Sequence, residues 1–396
     1  MFSLSYNLCI MDADFTLEAA PAVEEAQPTE ESSPISDIEF YFEGDDYFRE
    51  LFQAIRQARH SIDLEFYIIA SDSLGWEFVD LLCQKSDEGV VIRLMYDSIG
   101  CYDTSMYLFD KLERHGVNYR AYNPILPLWR NLGRRNHRKM AIIDGMLGFL
   151  GGFNLGANYS QRHQGSLSWR DTGAKLFRRS LVEEMVGFFE ESWSEREKSF
   201  PVFLKVRRRR FQLLPGSLQL VPNYGWRRKS LIRHEYLRAI LRARESIQIT
   251  NAYFVPDHGI LRALRKAARR GVKVELLTAG KSDVAIARWA GQATYSRLLK
   301  AGVRIFEYQK RMLHAKSASI DGEWFTVGTA NIDHMSFFKN LEINLFGRDV
   351  ALAAILKAQF REDLKSASEI KLEAWRKRSW FAKLLERFFF WMREWL

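Results

Sequence analysis

The sequence predicts an α/β fold built from two similar halves. The pattern H-x-K-x-x-x-x-D occurs twice, from His137 to Asp144 and from His314 to Asp321. Strand-like runs alternate with helical stretches, which is typical of layered α/β proteins. The same order of runs also recurs in both parts of the chain, as in a duplicated domain. We therefore predict two pseudo-symmetric α/β/α sandwich halves that form one active site at their interface.

In the first half, ordered structure is expected to begin near Ile38. Residues 61–69 (SIDLEFYII) are rich in β-branched and aromatic side chains and predict a strand. A helical stretch should follow to about Glu88, and residues 89–97 (GVVIRLMYD) predict a buried strand. Another helix comes next. Residues 115–124 (HGVNYRAYNP), the first motif and a glycine-rich turn then complete this half.

The second half repeats this order. Residues 244–254 resemble 59–69, residues 269–279 resemble 87–97, and residues 300–309 resemble 114–123, with the second motif in the same place. We predict a first domain over 38–200, a linker over 201–216 and a second domain over 217–366. Proline and a run of arginines interrupt the pattern in the linker region.

The two ends of the chain predict different behaviour. Residues 1–37 are predicted to be a disordered acidic tail, because 18–36 are rich in Glu, Pro, Ala and Ser. Residues 367–396 are predicted to form an amphipathic helix at a membrane interface. Its apolar face would hold Phe381, Leu384, Leu385, Phe388, Trp391, Met392 and Trp395, opposite Lys383, Glu386, Arg387, Arg393 and Glu394. Docking of this helix on the protein's own core, or on a partner, is the alternative.

Composition restricts the class of partner. The net charge of +9 and pI of about 9.3 imply an acidic partner, either anionic lipid or nucleic acid. The three cysteines lack metal-ligand spacing and fit a reducing compartment. No secretory signal is recognised at the start of the sequence, and no run of eighteen uncharged apolar residues occurs, so we expect peripheral membrane contact.

The repeated motif supplies the groups needed to transfer a phosphodiester. One imidazole can attack phosphorus, the other can protonate the leaving oxygen, and lysines and amides can hold the non-bridging oxygens. If each motif is a strand, His137 and Lys139 share one face, and so do His314 and Lys316. The motif aspartates have the wrong parity for that face, and each precedes a glycine. They are better turn-formers than proton carriers.

These residues resemble the HKD signature of the phospholipase D superfamily, and most closely that of its bacterial cardiolipin synthase branch. The resemblance runs from about Ile38 to about Leu364 and includes residues 251–256 (NAYFVP), 271–307 and 340–346 (NLEINLF). It implies a set of motif residues for catalysis: His137, Lys139, Asp144, His314, Lys316 and Asp321. It implies phosphate support from Asn154, Asn331, Gly152, Gly328 and Thr329, where the glycines (with Gly151) would admit the backbone to the phosphate. Asp171 and Glu342 would orient the two histidines, and no metal or cofactor is expected.

The resemblance further implies transfer of a phosphatidyl group from one phosphatidylglycerol to another through a phosphatidyl-histidine. By family analogy His137 is the nucleophile and His314 the acid. A water acceptor would make the protein a phospholipase D, and a DNA diester would make it a nuclease. The aromatic C-terminal segment favours lipid, whereas the basic clusters at 207–210 and 227–229 fit either partner. We therefore expect a peripheral protein on the cytoplasmic side of a bacterial membrane, with phosphatidylglycerol as partner, nucleic acid disfavoured and the oligomeric state open.

Overall fold

Two mixed β-sheets form the framework of the protein. The computed structural model describes residues 37–124, 133–195, 213–224 and 230–393. The first half contributes β1 (Ile38–Tyr41), β2 (Ser61–Phe66), β3 (Val91–Asp97), β4 (Asn118–Tyr122), β5 (Met140–Ile143), β6 (Leu147–Gly151) and β7 (Gly173–Leu176). The second half contributes β8 (Leu218–Tyr224), β9 (Ser246–Asn251), β10 (Lys273–Ala279), β11 (Arg304–Tyr308), β12 (Lys316–Ile320), β13 (Trp324–Gly328), β14 (Leu341–Arg348) and β15 (Ala367–Glu369).

Helices cover both sheets. Those of the first half are α1 (Gly44–Gln57), α2 (Ser73–Asp87), α3 (Met106–Arg114), α4 (Gln161–Gln164) and α5 (Arg179–Glu195), with short 3-10 turns at Ala157–Tyr159 and Gly165–Leu167. Those of the second half are α6 (Leu231–Arg242), α7 (His258–Arg269), α8 (Ala285–Leu299), α9 (His334–Phe338), α10 (Val350–Leu364), α11 (Leu372–Arg376) and α12 (Trp380–Trp391).

The two sheets have the same strand order. The first sheet runs β1-β7-β6-β5-β2-β3-β4, and the second runs β8-β14-β13-β12-β9-β10-β11 with β15 added beside β11. In each sheet the three strands that alternate with helices are parallel, and the remaining pairs are antiparallel. The predicted α/β class with two pseudo-symmetric halves is confirmed.

Alternating side chains divide the core into layers. In β5, Ala141 and Ile143 pack with the outer helices α1 to α3, whereas Met140 and Ile142 point toward the other half. The inner faces of both sheets enclose α5 and α10 in one shared apolar cluster, which joins residues such as Phe189 and Leu356. A second outer cluster lies beneath α6 to α8. Each half is thus an α/β/α sandwich whose inner layer contacts its partner.

The strands of the two motifs are shorter than the pattern predicts. β5 begins at Met140 and β12 at Lys316, so both motif histidines precede their strands. The residues before each strand pair with the other half instead of their own sheet. Asn136 bridges Leu341, and Leu313 bridges Arg170, both in parallel. This exchange draws each histidine toward the opposite half.

The C-terminal segment differs from the single helix predicted over 367–396. Its start is β15, which pairs antiparallel with β11, and α11 then packs Trp375 against Tyr295 with ring centroids 5.0 Å apart. Only α12 is amphipathic in the expected sense, and it packs on α8, where Phe389 lies 5.2 Å from Trp289. No helix within the described residues is long and apolar enough to cross a membrane.

Several sequence-based expectations fall outside the described residues. These are the acidic tail (except Asp37), the basic clusters 207–210 and 227–229, most of the linker 201–216, and Glu394 and Trp395 at the C-terminus.

Candidate active site

His137 is oriented by an acid from the other half of the protein. Its Nδ1 lies 3.0 Å from Glu342 Oε1 and 3.1 Å from Oε2. Its backbone N–H donates to the carbonyl of Leu341 at 3.0 Å, so the lead-in to β5 and the start of β14 are held together. Because Nδ1 donates to the carboxylate, Nε2 is left as the reactive nitrogen.

His314 repeats this arrangement with the roles of the halves exchanged. Its Nδ1 lies 2.5 Å from Asp171 Oδ2, and its backbone N–H donates to the carbonyl of Arg170 at 2.7 Å. Burial opposes ionisation of Asp171, but Lys316 and His314 together hold the pKa of this carboxyl below its usual value. Both acids expected to orient the histidines therefore do contact them, each across the interface between halves.

The two motif lysines lie beside the histidines and are fully buried. Lys139 Nζ donates to the carbonyl of His137 at 2.9 Å, and Lys316 Nζ lies 2.9 Å from Nδ1 of His314 and contacts its carbonyl. Burial lowers the pKa of Lys139 to about 7 and that of Lys316 to about 8, although the acids nearby oppose this. Burial also lowers the pKa of both histidines, against the effect of their acids. A bound phosphate would favour the charged lysines.

The glycines expected to support the phosphate lie where a larger residue would collide with neighbouring side chains of the site. A Cβ on Gly152 would lie 2.0 Å from Asp171 Oδ1, and one on Gly328 would lie 2.4 Å from Asn344 Oδ1. Thr329, at the position corresponding to Gly152, donates its hydroxyl to Glu342 Oε2 at 2.5 Å. Gly152 and Thr329 therefore border the orienting acids and Gly328 borders Asn344, while a role of the three at the phosphate stays a prediction.

The two asparagines are both buried but differ in their contacts. Asn154 accepts from the backbone N–H of Ile68 at 3.2 Å and donates to the Tyr159 hydroxyl at 2.8 Å, so its amide is occupied within the fold. Asn331 Oδ1 is buried and has no hydrogen-bond partner within the described part of the chain. The asparagine of the first half therefore braces a tyrosine, whereas that of the second half has an acceptor oxygen unpaired among the described residues and would bind a phosphate through its Nδ2.

The motif aspartates do not reach the histidines. Asp144 accepts from the backbone N–H groups of Arg59, His60 and Ser61. Asp321 accepts in the same way from residues 244–246, at 2.8 to 2.9 Å. Both have left-handed backbones, with φ of 52° and 53°. Their inclusion in the catalytic set is corrected, because they close the turn at the far end of each motif strand, roughly 20 Å from the histidine in an extended chain.

Sequence reasoning missed the aromatic residues around the histidines. The Tyr67 ring centroid lies 5.0 Å from that of His137. His314 has three such neighbours, with Tyr159 and Trp169 both at 5.6 Å and Tyr253 at 6.0 Å. Tyr67 and Tyr253 follow β2 and β9, so the carboxyl ends of these strands were the available signal. The unequal surroundings make the two histidines chemically distinct.

The geometry supports two-step transfer at phosphorus. Two imidazoles, each fixed by a carboxylate at Nδ1, can serve as nucleophile and as acid/base through Nε2, and two buried lysines can stabilise the non-bridging oxygens. Within the described ranges, no three His, Cys, Asp or Glu side chains form a group that could hold a metal ion.

A paired His–Lys site assembled across two α/β halves defines the phospholipase D-like class of proteins. The chain belongs to the family described as "Cardiolipin synthase, PLD-like domain", whose model matches residues 51–193 and 236–364.

The relatives agree with this family. The chain is 36% identical to cardiolipin synthase 2 of Bacillus anthracis over 351 residues, which is 87% of this chain and 67% of that protein. It is 34% identical to a cardiolipin synthase of Clostridium perfringens, covering 89% of this chain and 75% of the relative. The crystal structure of a phosphatidylserine synthase from Haemophilus influenzae has the same fold, with a TM-score of 0.74 at 14% identity over 92% of this chain and 96% of that one.

Proposed function

We propose that the protein is a phosphatidyltransferase that makes cardiolipin from two molecules of phosphatidylglycerol and releases glycerol. The observation that carries this proposal is the crossed pairing of His137 with Glu342 and of His314 with Asp171. The relatives at 34–36% identity, which are named cardiolipin synthases, favour phosphatidylglycerol as the substrate.

In the first step His137 Nε2 attacks the phosphorus of the donor lipid. The P–N bond forms as the bond between phosphorus and the glycerol oxygen breaks, and His314 transfers its Nε2 proton to that oxygen. Glu342 stabilises the positive charge that develops on His137, because its carboxylate accepts the hydrogen bond from Nδ1–H throughout.

In the second step the direction of proton transfer reverses. His314 Nε2, now neutral, removes the proton from the hydroxyl of an incoming phosphatidylglycerol. The resulting oxygen attacks phosphorus and the P–N bond to His137 breaks, which restores both imidazoles. Glycerol has left by then, so atoms and charges balance over the cycle.

The lysines and Asn331 supply the electrostatic part of catalysis. A phosphodiester brings a negative charge to two ammonium groups that burial has made easy to deprotonate. Binding of the substrate therefore raises the pKa of both lysines and offsets the repulsion between Lys316 and protonated His314. Charge on the equatorial oxygens is then neutralised without solvent reorganisation.

We place the protein at the cytoplasmic face of the membrane, held peripherally by α12. Its outer side exposes Trp380, Phe381, Leu384, Phe388 and Trp391, by 51% to 75% of their areas. These positions recur at helical spacing and form one apolar stripe, while Lys383 and Arg387 lie beside it. Aromatic side chains of this kind insert at the headgroup level of a bilayer.

Product analysis tests the proposal against hydrolysis and nuclease activity. The full-length protein is incubated with phosphatidylglycerol vesicles, and separately with plasmid DNA in chelator, and products are identified by mass spectrometry and gel. We expect cardiolipin and glycerol in equal amounts, and loss of both with His137→Ala. Phosphatidate as the sole lipid product, or nicked plasmid, would contradict a synthase.

A further inference from the structure

We propose that Asp283 and Tyr253 form a subsite beside His314 for the hydroxyl groups of a polyol, here the glycerol of a phosphatidylglycerol headgroup. The inference deepens the proposed function and rests on its assignment of His314 to the alcohol side of the reaction. It identifies two residues that would determine which alcohol leaves and which is accepted.

Tyr253 links the catalytic imidazole to an exposed carboxylate. Its ring meets the His314 ring edge-on at 6.0 Å, and its hydroxyl donates to Asp283 Oδ1 at 2.5 Å. Asp283 lies between the end of β10 and the start of α8, where its side chain is exposed. The hydrogen bond from Tyr253 occupies Oδ1, so Oδ2 remains open to a ligand.

The charge of Asp283 also influences the groups around His314. Burial lowers the pKa of Lys316, and the carboxylates of Asp171, Glu342 and Asp283 oppose that shift. The carboxylate of Asp283 also adds to the effect of burial in raising the pKa of Tyr159. A headgroup whose first oxygen meets His314 would extend its other hydroxyls past the Tyr253 ring, 6.0 Å from His314, toward the carboxylate that the Tyr253 hydroxyl holds.

The first half lacks a carboxylate at the aligned position. The position that corresponds to Asp283 after β3 is Cys101, which is buried and accepts from the backbone N–H of Ile69 at 3.3 Å. The motifs are repeated, yet only the His314 side offers an open carboxylate at this position. This difference fits a site in which one histidine meets phosphorus and the other meets an alcohol.

A polyol fits this subsite better than a quaternary ammonium group. Recognition of such a cation requires several aromatic faces that converge on it. Tyr159 is only 3% exposed, so its ring faces lie inside the protein, and the half-buried Trp169 meets that ring edge-on at 5.3 Å. The exposed group beside His314 is a carboxylate fixed by a phenol, and carboxylate oxygens accept hydrogen bonds from hydroxyl groups.

Competition between alcohols tests the subsite. The full-length protein receives phosphatidyl-p-nitrophenol as donor, with glycerol, 1-propanol and ethanolamine at equal concentrations, and the lipid products are quantified by mass spectrometry. The readout is a product ratio within one reaction, so a change in overall rate cancels. We expect the wild-type protein to favour phosphatidylglycerol over phosphatidylpropanol, and Asp283→Ala to lower this ratio about tenfold, as for a hydrogen bond to a charged group.

Two further variants complete the design. Asp283→Asn keeps the oxygen that the Tyr253 hydroxyl occupies and replaces the open one by an N–H₂ group, which can still donate to a hydroxyl oxygen, so it should lower the ratio less than Asp283→Ala. Asp103→Ala changes an exposed aspartate in the matching loop of the first half and should keep all of the preference. An unchanged ratio in Asp283→Ala, or no phosphatidylglycerol product from the wild type, would overturn the subsite. So would a wild-type preference for ethanolamine that Asp283→Asn abolishes, since that marks an amine site. Failure to make cardiolipin from vesicles would refute the synthase alone, because the alcohol ratio is measured independently.

Discussion

At the scale of single residues, the two histidines share one design but not one environment. The side chain of His137 is 12% exposed and meets both oxygens of Glu342, whereas that of His314 is 5% exposed and meets one oxygen of Asp171. Thr329 supports Glu342, while the backbone N–H of Thr172 donates to Asp171 at 2.7 Å. Unequal supports of this kind suit unequal roles, with a nucleophile on one side and an acid on the other.

The leaving group distinguishes these roles. A p-nitrophenol leaving group departs without a proton, whereas glycerol needs one. We expect His314→Ala and Asp171→Asn to lose activity toward phosphatidylglycerol by about 10² to 10⁴, and far less toward phosphatidyl-p-nitrophenol. His137→Ala and Glu342→Gln should lose comparable activity with both donors. Rates of release with each donor provide the measurement, and the reverse pattern would exchange the two histidines.

The pH dependence follows from the buried lysines. Since burial lowers the pKa of His137, this side chain is already neutral, and so nucleophilic, at a pH below the range in which histidine usually titrates. The ammonium groups are lost as pH rises past the pKa of about 7 for Lys139 and about 8 for Lys316. With phosphatidyl-p-nitrophenol, whose departure needs no proton from His314, we therefore expect kcat/KM, which reports the free enzyme, to fall above about pH 7 to 8. Lys139→Arg keeps its charge, so the fall in kcat/KM should move to higher pH in this variant. A wild-type profile that stays flat to pH 10 would be inconsistent with the lysines' role.

At the scale of elements, the alternating pattern predicted the strands well but their ends poorly. The motif strands begin late because the preceding residues bond to the opposite half, which no local pattern records. The segment after α10 forms a strand, a short helix and then α12, since Trp375 is drawn into the core beneath α8. By contrast, the turn role of Asp144 and Asp321 followed from parity and the glycine after each.

Substitution of a motif aspartate tests that turn role. Asp144→Ala removes the acceptor for three backbone N–H groups and should lower the free energy of unfolding by about 2 kcal/mol. Asp144→Asn should cost less, because asparagine tolerates a left-handed backbone and keeps one acceptor. Urea unfolding and activity per folded molecule are measured together. Lost activity at unchanged stability would show that Asp144 carries a proton after all.

The exposed stripe of α12 makes a separate prediction for membrane binding. Replacing Trp380, Phe388 and Trp391 by serine should weaken binding to phosphatidylglycerol vesicles at least tenfold, because each buried apolar side chain contributes about 1.5 to 3 kcal/mol. The control changes Val350 and Ile355 of α10, which are 69% and 44% exposed, and should bind normally. Sedimentation with vesicles gives the affinities. Equal binding by both variants would favour a different membrane surface.

A truncation of the same segment should remove α12 and keep Trp375 of α11. Removal of residues from 373 onward would take away Trp375 and uncover Tyr295, so loss of binding would be confounded by damage to the core. A deletion that starts at Ser379 removes α12 alone and leaves α11 on α8.

At the scale of the whole molecule, the duplication visible in the sequence becomes two sheets of one strand order. The motifs were identifiable from the chain alone, and both orienting acids from its resemblance to the family. The exchange of acids between halves was not, because it depends on how the two sandwiches pack. The same packing places Arg170 of the first half against Asp363 of the second, at 2.7 Å, with both side chains buried. The site exists only when the halves are assembled.

The central claim is that both halves build one site in which His137 takes the phosphatidyl group and His314 moves the proton. Quenching in denaturant at neutral to mildly alkaline pH, where the acid-labile P–N bond survives, is combined with phosphatidylglycerol labelled at phosphorus and with peptide mapping, and measures this directly. We expect the label on the peptide containing His137, its absence in His137→Ala, and its accumulation in His314→Ala supplied with phosphatidyl-p-nitrophenol. Label on His314 alone would reverse the roles, and no label in any variant would contradict covalent transfer.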